Sequence, residues 1–143
     1  YGFVTYWEQA KTRLVGVEPE VIAKYNVVSA PVAARMALGA AAASGSDIAV
    51  SVTGVAGPTG GDEVRPVGTV YLGAARGDTV YVQKLFVSRP DRALVRARAA
   101  QAALALALRL AQGKVPAHTK PLAASEQHSA AALDALNEAF LAE

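Results

Sequence analysis

Apolar and polar positions along the chain change rhythm several times, and each change predicts an element. Gly2 to Trp7 carries Phe3, Val4, Thr5 and Tyr6, the β-branched and aromatic mixture of a strand. Glu18-Pro19-Glu20 then opens a short helix through Lys24, since proline tolerates a first turn and carboxylates favour its positive end. Ser29 caps a second helix over Ala30 to Ala43, which Gly45 stops. Asp47 to Val52 is a short apolar run suited to a buried strand. Val67 to Ala75 and Thr79 to Val87 are two more strands, and Arg76-Gly77-Asp78 between them predicts a hairpin.

From Pro90-Asp91 the period becomes helical, with Val95, Ala99, Ala102, Leu106 and Leu110 forming one stripe that ends at Gly113. Lys114 to Leu122, with two prolines, reads as a linker, and Ser125 to Leu141 as an amphipathic helix through Ala132, Leu133, Leu136 and Phe140. No internal repeat is present. Strands interleaved with helices predict an α/β fold, a three-layer α/β/α sandwich. The hairpin makes its sheet mixed. The expected organisation is a single domain over 1–112 followed by a linker and helical tail over 113–143.

Composition narrows the class without changing that picture. At 143 residues and 52% hydrophobic content the chain can build a core, yet no window offers the ~20 nearly uncharged residues of a membrane span. No secretory leader precedes Tyr1, and a cytoplasmic setting is expected. The absence of cysteine excludes disulfides, cysteine metal ligands and a cysteine nucleophile. Two distant histidines and no clustered carboxylates predict no metal, and no cofactor is expected. A net charge of +2 is too small to call for nucleic acid. Arg89, Arg92, Arg96 and Arg98 crowd one helix start, which composition alone reads as a solvated face.

Chemistry concentrates in Thr53-Gly54-Val55-Ala56-Gly57-Pro58-Thr59-Gly60-Gly61, a glycine-rich link between two strands whose bare N–H groups can face a bound anion. Lys11 lies five positions beyond Tyr6, past the end of the first predicted strand; a lysine that is buried near positive charge can serve as a base. Taken singly, Tyr6, Lys11 and Thr53 are ordinary residues. Their order along the chain is not. Tyr6…Lys11, Gly16-Val17-Glu18-Pro19-Glu20, Val28-Ser29, the Thr-Gly-Val-Ala-Gly-Pro loop with its Pro66-Val67-Gly68-Thr69-Val70 sequel, and Phe86…Asp91-Arg92…Val95-Arg96 together resemble the CinA C-terminal domain family over about residues 1–112.

That resemblance implies hydrolysis of the carboxamide of nicotinamide mononucleotide to nicotinic acid mononucleotide and ammonia, through a serine activated by a lysine. It matches Lys11 to the lysine and Tyr6 to a tyrosine that orients it. Thr53, Gly54, Ala56, Gly57, Pro58, Gly60 and Gly61 match the substrate-lining segment, and Arg92 an arginine suited to the phosphate. It also implies a small-molecule nucleotide as partner and a homo-oligomer, expected to be a dimer.

Two departures stand out. Trp7 and Glu8 occupy positions where the family has a small hydroxyl residue and asparagine, so Glu8 is placed to hold Lys11 as an ion pair. The nucleophile's Glu-Ser-Cys-Thr-Gly-Gly type motif has no counterpart; Ser125, His128 and Ser129 lack its glycines. The alternative is a noncatalytic CinA-like module that binds a nucleotide or a protein, linked to competence or the response to DNA damage.

Overall fold

The computed structural model describes residues 1–143. Its centre is one four-stranded sheet in the order β1 (Ile48–Gly54), β2 (Thr69–Arg76), β3 (Thr79–Phe86), β4 (Lys120–Ala123). Every neighbouring pair is antiparallel, from Ile48 opposite Arg76 to Val82 opposite Lys120. The expected mixed sheet is thus corrected. No helix separates β1 from β2, so residues 55–68 turn the chain back on itself, whereas a parallel pair needs a crossover connection.

The three-layer arrangement holds. β2 is buried along its whole length except Arg76, because both of its faces are covered. On one side α3 (Ala30–Ser44) and α5 (Ala130–Leu141) pack against Tyr71, Ala75, Val80 and Val82. On the other, α4 (Arg92–Ala111) presents Val95, Ala99, Ala103, Leu106 and Leu110 to Val70, Leu72 and Ala74. The expected stripe is right except that Ala103, not Ala102, is its buried third member.

Helix ends follow their local chemistry. The Ser29 and Asp91 side chains accept from Val32 N and Leu94 N, three residues on, and Gly45 closes α3 in the left-handed conformation at φ 69°. The first helices are α1 (Glu8–Val15) and α2 (Pro19–Tyr25), of which only α2 was expected. Gly2 to Trp7 form no strand, although Gly2, Phe3 and Thr5 share a cleft with Ile48 to Val52 of β1, and Val4 and Tyr6 are largely exposed.

The stretch read as a linker contains β4, whose Leu122 enters the core beside Leu133, Leu136 and Phe140 of α5. Pro121 is tolerated there because an edge strand can leave one backbone position without an N–H. Polar ties hold this segment on the first helices. Tyr25 Oη donates to Asp134, which also pairs with Lys24 at 2.8 Å. Glu18 pairs with both Arg35 and His128. Partial burial would raise the Glu18 carboxyl, but its hydrogen bond with Arg35, joined by the Arg35 and His128 charges, holds it below the usual carboxylate range.

Candidate active site

Lys11 sits on the inner side of α1 and is only 5% exposed. Its Nζ donates to the Thr5 carbonyl at 2.5 Å. Burial pushes this amine below its ordinary value of 10.5, against a smaller opposing pull from Glu8, one turn earlier. Glu8 does not pair with it: Lys11 takes part in none of the ion pairs. The extended arm before α1 thus supplies a neutral acceptor where the sequence offered a carboxylate. Tyr6 is 81% exposed and makes no hydrogen bond to Lys11.

The glycine-rich loop leaves the end of β1. Thr53 is buried, and its Oγ1 donates to the Val27 carbonyl at 2.8 Å, which fixes the turn between α2 and α3 against the strand end. Gly57 needs to be glycine twice over, since its φ is +85° and a Cβ would stand 2.5 Å from Val67 Cγ1. It is buried and joined to Pro58 by a cis peptide bond. Gly54, Pro58, Gly60 and Gly61 are exposed, and Ala56 is half-buried. The N–H groups of Gly57, Thr59, Gly60 and Gly61 donate to no backbone carbonyl, so this rim of the loop keeps its donors free. Arg92 is exposed at the start of α4 and donates through Nη1 to the Gly57 carbonyl at 2.9 Å.

A cleft of about 550 Å³ lies between α1, α2, the turn that follows α2 and Arg65, within the range of small-molecule sites. Glu8, Thr12 and Arg13 from α1 face Lys24 and Val27 across it, and Arg65 closes one end. A second, more open cleft beside it is walled by Tyr6 and Trp7 and shares Glu8, Gln9 and Val27. The structure therefore brings Tyr6 to one wall and joins Thr53 to that wall through Val27. Lys11 lines neither cleft, nor do Gly54, Ala56, Gly57, Pro58, Gly60 and Gly61, and Arg92 is tied to the loop outside them.

Comparison with known proteins fits this architecture. The family model for the CinA C-terminal domain matches residues 1–111. The chain belongs to the CinA C-terminal domain family. Within it, the chain is 45% identical over 105 residues to the nicotinamide-nucleotide amidohydrolase PncC of Escherichia coli, covering 72% of this chain and 62% of that protein. It is 52% identical over 95 residues to a CinA-like protein of a Geobacter species, covering 66% of this chain and 23% of the relative. The chain thus spans less than two thirds of the length of these relatives.

The CinA fold appears equally in solved structures. A competence/damage inducible protein from Agrobacterium tumefaciens superposes with a TM-score of 0.69 at 36% identity, over 79% of this chain and 68% of that one. A CinA superfamily protein from Escherichia coli gives 0.70 at 34% identity, over 75% and 62%.

Two arginines escaped the sequence reading: Arg65, which lines the cleft, and Arg35, which lines neither cleft and ties α3 to the chain before α2. Arg65 donates through Nε to the Val28 carbonyl at 2.6 Å and through Nη2 to the Tyr25 carbonyl at 2.8 Å. Its sequence signal is a lone arginine before Pro66, a position that proline forces into an extended backbone. Arg35 is a buried charge in an alanine-rich helix, bonded to Glu18, the Gly16 carbonyl and Gln127. Its signal was a single cation amid Val32-Ala33-Ala34 and Met36-Ala37.

Proposed function

We propose that this chain forms the base-bearing and substrate-lining part of an amidohydrolase that converts the carboxamide of nicotinamide mononucleotide to the carboxylate and releases ammonia. The observation that carries the proposal is the buried Lys11 amine, which has no carboxylate partner and is pushed below its ordinary value. A lysine in that state reaches its neutral, proton-accepting form closer to neutrality than an exposed one. A relative named as an amidohydrolase supports the substrate.

In the proposed step a serine hydroxyl attacks the carboxamide carbon and its proton passes to neutral Lys11 Nζ. The same proton then goes to the amide nitrogen, which leaves as ammonia, and water hydrolyses the resulting ester to the carboxylate. Overall, one amide and one water give one carboxylic acid and one ammonia. The nucleophilic serine is not among the residues of this sequence, which lacks the Glu-Ser-Cys-Thr-Gly-Gly type segment. In this reading Tyr6 orients the reacting groups, the exposed rim of the loop at Gly60 and Gly61 faces the substrate, and Thr53 acts from behind by holding the Val27 turn. Exposed Leu104 and Leu108, one turn apart on α4, support a homodimer, which sedimentation analysis tests.

A noncatalytic binding module is favoured by one observation: Lys11 is tied to a backbone carbonyl and Tyr6 makes no bond to it. Ammonia release from nicotinamide mononucleotide by the protein carrying this chain separates the two. The amidohydrolase predicts release that depends on Lys11. Tight nucleotide binding without any release establishes the module instead.

A further inference from the structure

Arg35 is a buried charge on α3, 5% exposed, and its guanidinium holds three separate pieces of chain. Nε and Nη2 form a fork on the two Glu18 oxygens at 3.0 and 2.9 Å, Nη2 also donates to the Gly16 carbonyl at 3.2 Å, and Nη1 donates to Gln127 Oε1. His128 Nδ1 stands 2.8 Å from the same Glu18 carboxylate. Gly16 ends α1 and Glu18 caps α2, so the arginine holds the joint between those two helices. Gln127 and His128 come from the turn before α5, beyond residue 111, where the CinA match ends.

A buried ion pair contributes little net stability over apolar side chains of the same volume, because desolvation offsets its attraction. What a bidentate fork does supply is a fixed geometry. Here that geometry is the seat of the helix that bears Lys11. One turn beyond Arg35 on α3, a Cβ at Gly39 would overlap the Val15 carbonyl, so the last turn of α1 rests directly on α3 and Arg35 pins it there. Lys11 belongs to the same joint, since its carbonyl accepts from Val17 N at 3.1 Å while its Nζ reaches inward to Thr5. We propose that Arg35 is the positioning residue for Lys11, and that Gln127 and His128 complete its clamp, which makes the segment beyond the CinA match a working part of the site. The proposal rests on the reading of Lys11 as the base. Loosening the joint tilts α1 away from α3, admits water to the amine and spoils its aim at the reacting proton.

The test reads Lys11 directly, by NMR titration of its side-chain amine in the whole protein, beside kcat and KM for ammonia release from nicotinamide mononucleotide and the melting temperature. Arg35→Met combined with Glu18→Gln removes both charges of the fork together. Expected are a melting temperature close to wild type, a Lys11 midpoint that moves up toward 10.5, and a kcat lower by about 10- to 100-fold with KM within about twofold. Glu8, the charged group whose field reaches the amine, is untouched by these changes. Arg35→Lys, which keeps the charge but cannot span Glu18, Gly16 and Gln127 together, falls between and serves where the double variant does not fold. Gln127→Ala with His128→Ala moves both readouts the same way by less, and so does Gly39→Ala, which lifts α1 without touching a charge. Lys120→Gln, which breaks the separate pair with Glu143 on the same C-terminal segment, moves neither.

A Lys11 midpoint unmoved in the folded clamp variants overturns the proposal, whether or not kcat falls. A change in Lys120→Gln as large as theirs overturns it too, because the C-terminal segment then acts through stability alone. A midpoint that moves with the clamp while ammonia release is absent or unchanged upholds the positioning of Lys11 and removes it as the base.

Discussion

The two faces of the sheet are built on different principles. On the α4 side, Val70, Leu72 and Ala74 meet a purely apolar helix stripe; the one side-chain hydrogen bond between sheet and helix joins Arg76 to the Leu110 carbonyl at the far end. On the α3 side, next to the bulky cluster of Tyr71, Val80, Val82 and Phe140, the helix also comes close enough at Gly73 for a hydroxyl to bond its backbone. Ser51 Oγ donates to the Ala33 carbonyl at 2.6 Å and accepts from Gly73 N, while Thr53 reaches Val27. One face supplies cohesion through area. The other also ties the turn between α2 and α3 to the strand end, and the Tyr25 and Val28 carbonyls at that turn hold Arg65 beside the cleft. Stability and site geometry should therefore separate by face.

The sharpest way to break that contrast is Leu106→Ala on the α4 side. Leu106 is 3% exposed, and the truncation is expected to cost about 2–5 kcal/mol in denaturant unfolding. Affinity for nicotinamide mononucleotide should stay unchanged at temperatures where the variant is folded. Next comes Gly73→Ala on the α3 side, where a Cβ would stand 2.5 Å from the Ala33 carbonyl. Pushing α3 off the sheet is expected to cost about 1–3 kcal/mol, and unlike Leu106→Ala it should also weaken the nucleotide.

Thr53→Val has a smaller effect on stability, about 0.5–1.5 kcal/mol for one lost hydrogen bond, with a clear fall in kcat/KM because the Val27 wall is released. Smallest in stability is Lys11→Met, and its sign is opposite. A lysine whose folded value is lowered leaves the unfolded chain binding more protons, so wild-type stability rises with pH between the folded value and 10.5. Lys11→Met should remove that rise and be no less stable than wild type near pH 7, as urea titrations across pH can show.

Much of the fold was legible because its signals are short-range. Ser29, Gly45 and Asp91 mark helix ends within three residues of the groups they serve, and Gly77-Asp78 sets the hairpin register of Arg76 opposite Thr79. The stripes of α4 and α5 are periodic over three or more turns. Illegible features depend on distant partners. Phe3 to Tyr6 have strand chemistry but pair with no neighbour in this fold, and α1 has eight residues with no side-chain cap. β4 holds four residues including a proline, and is a strand because β3 has an open edge.

The site divides in the same way. The loop announced itself through glycines at Gly57, Gly60 and Gly61, and Thr53 through its place at a strand end. Arg65 did not, since its partners are carbonyls at Tyr25 and Val28, far off in sequence. Whether Lys11 meets a carboxylate or a carbonyl was likewise open until the arm before α1 was placed, because Glu8, three residues before it, is the nearer group along the chain and yet Thr5, six residues before it, supplies the partner.

The central claim is that the buried Lys11 amine is the base for amide hydrolysis. The most direct test is the pH dependence of kcat/KM for ammonia release from nicotinamide mononucleotide, in wild type and in Lys11→Ala. The account predicts a rate that rises through an apparent value below 10.5 in wild type and vanishes in the variant, while its melting temperature holds. Undiminished release by Lys11→Ala, with the same pH profile, would contradict it.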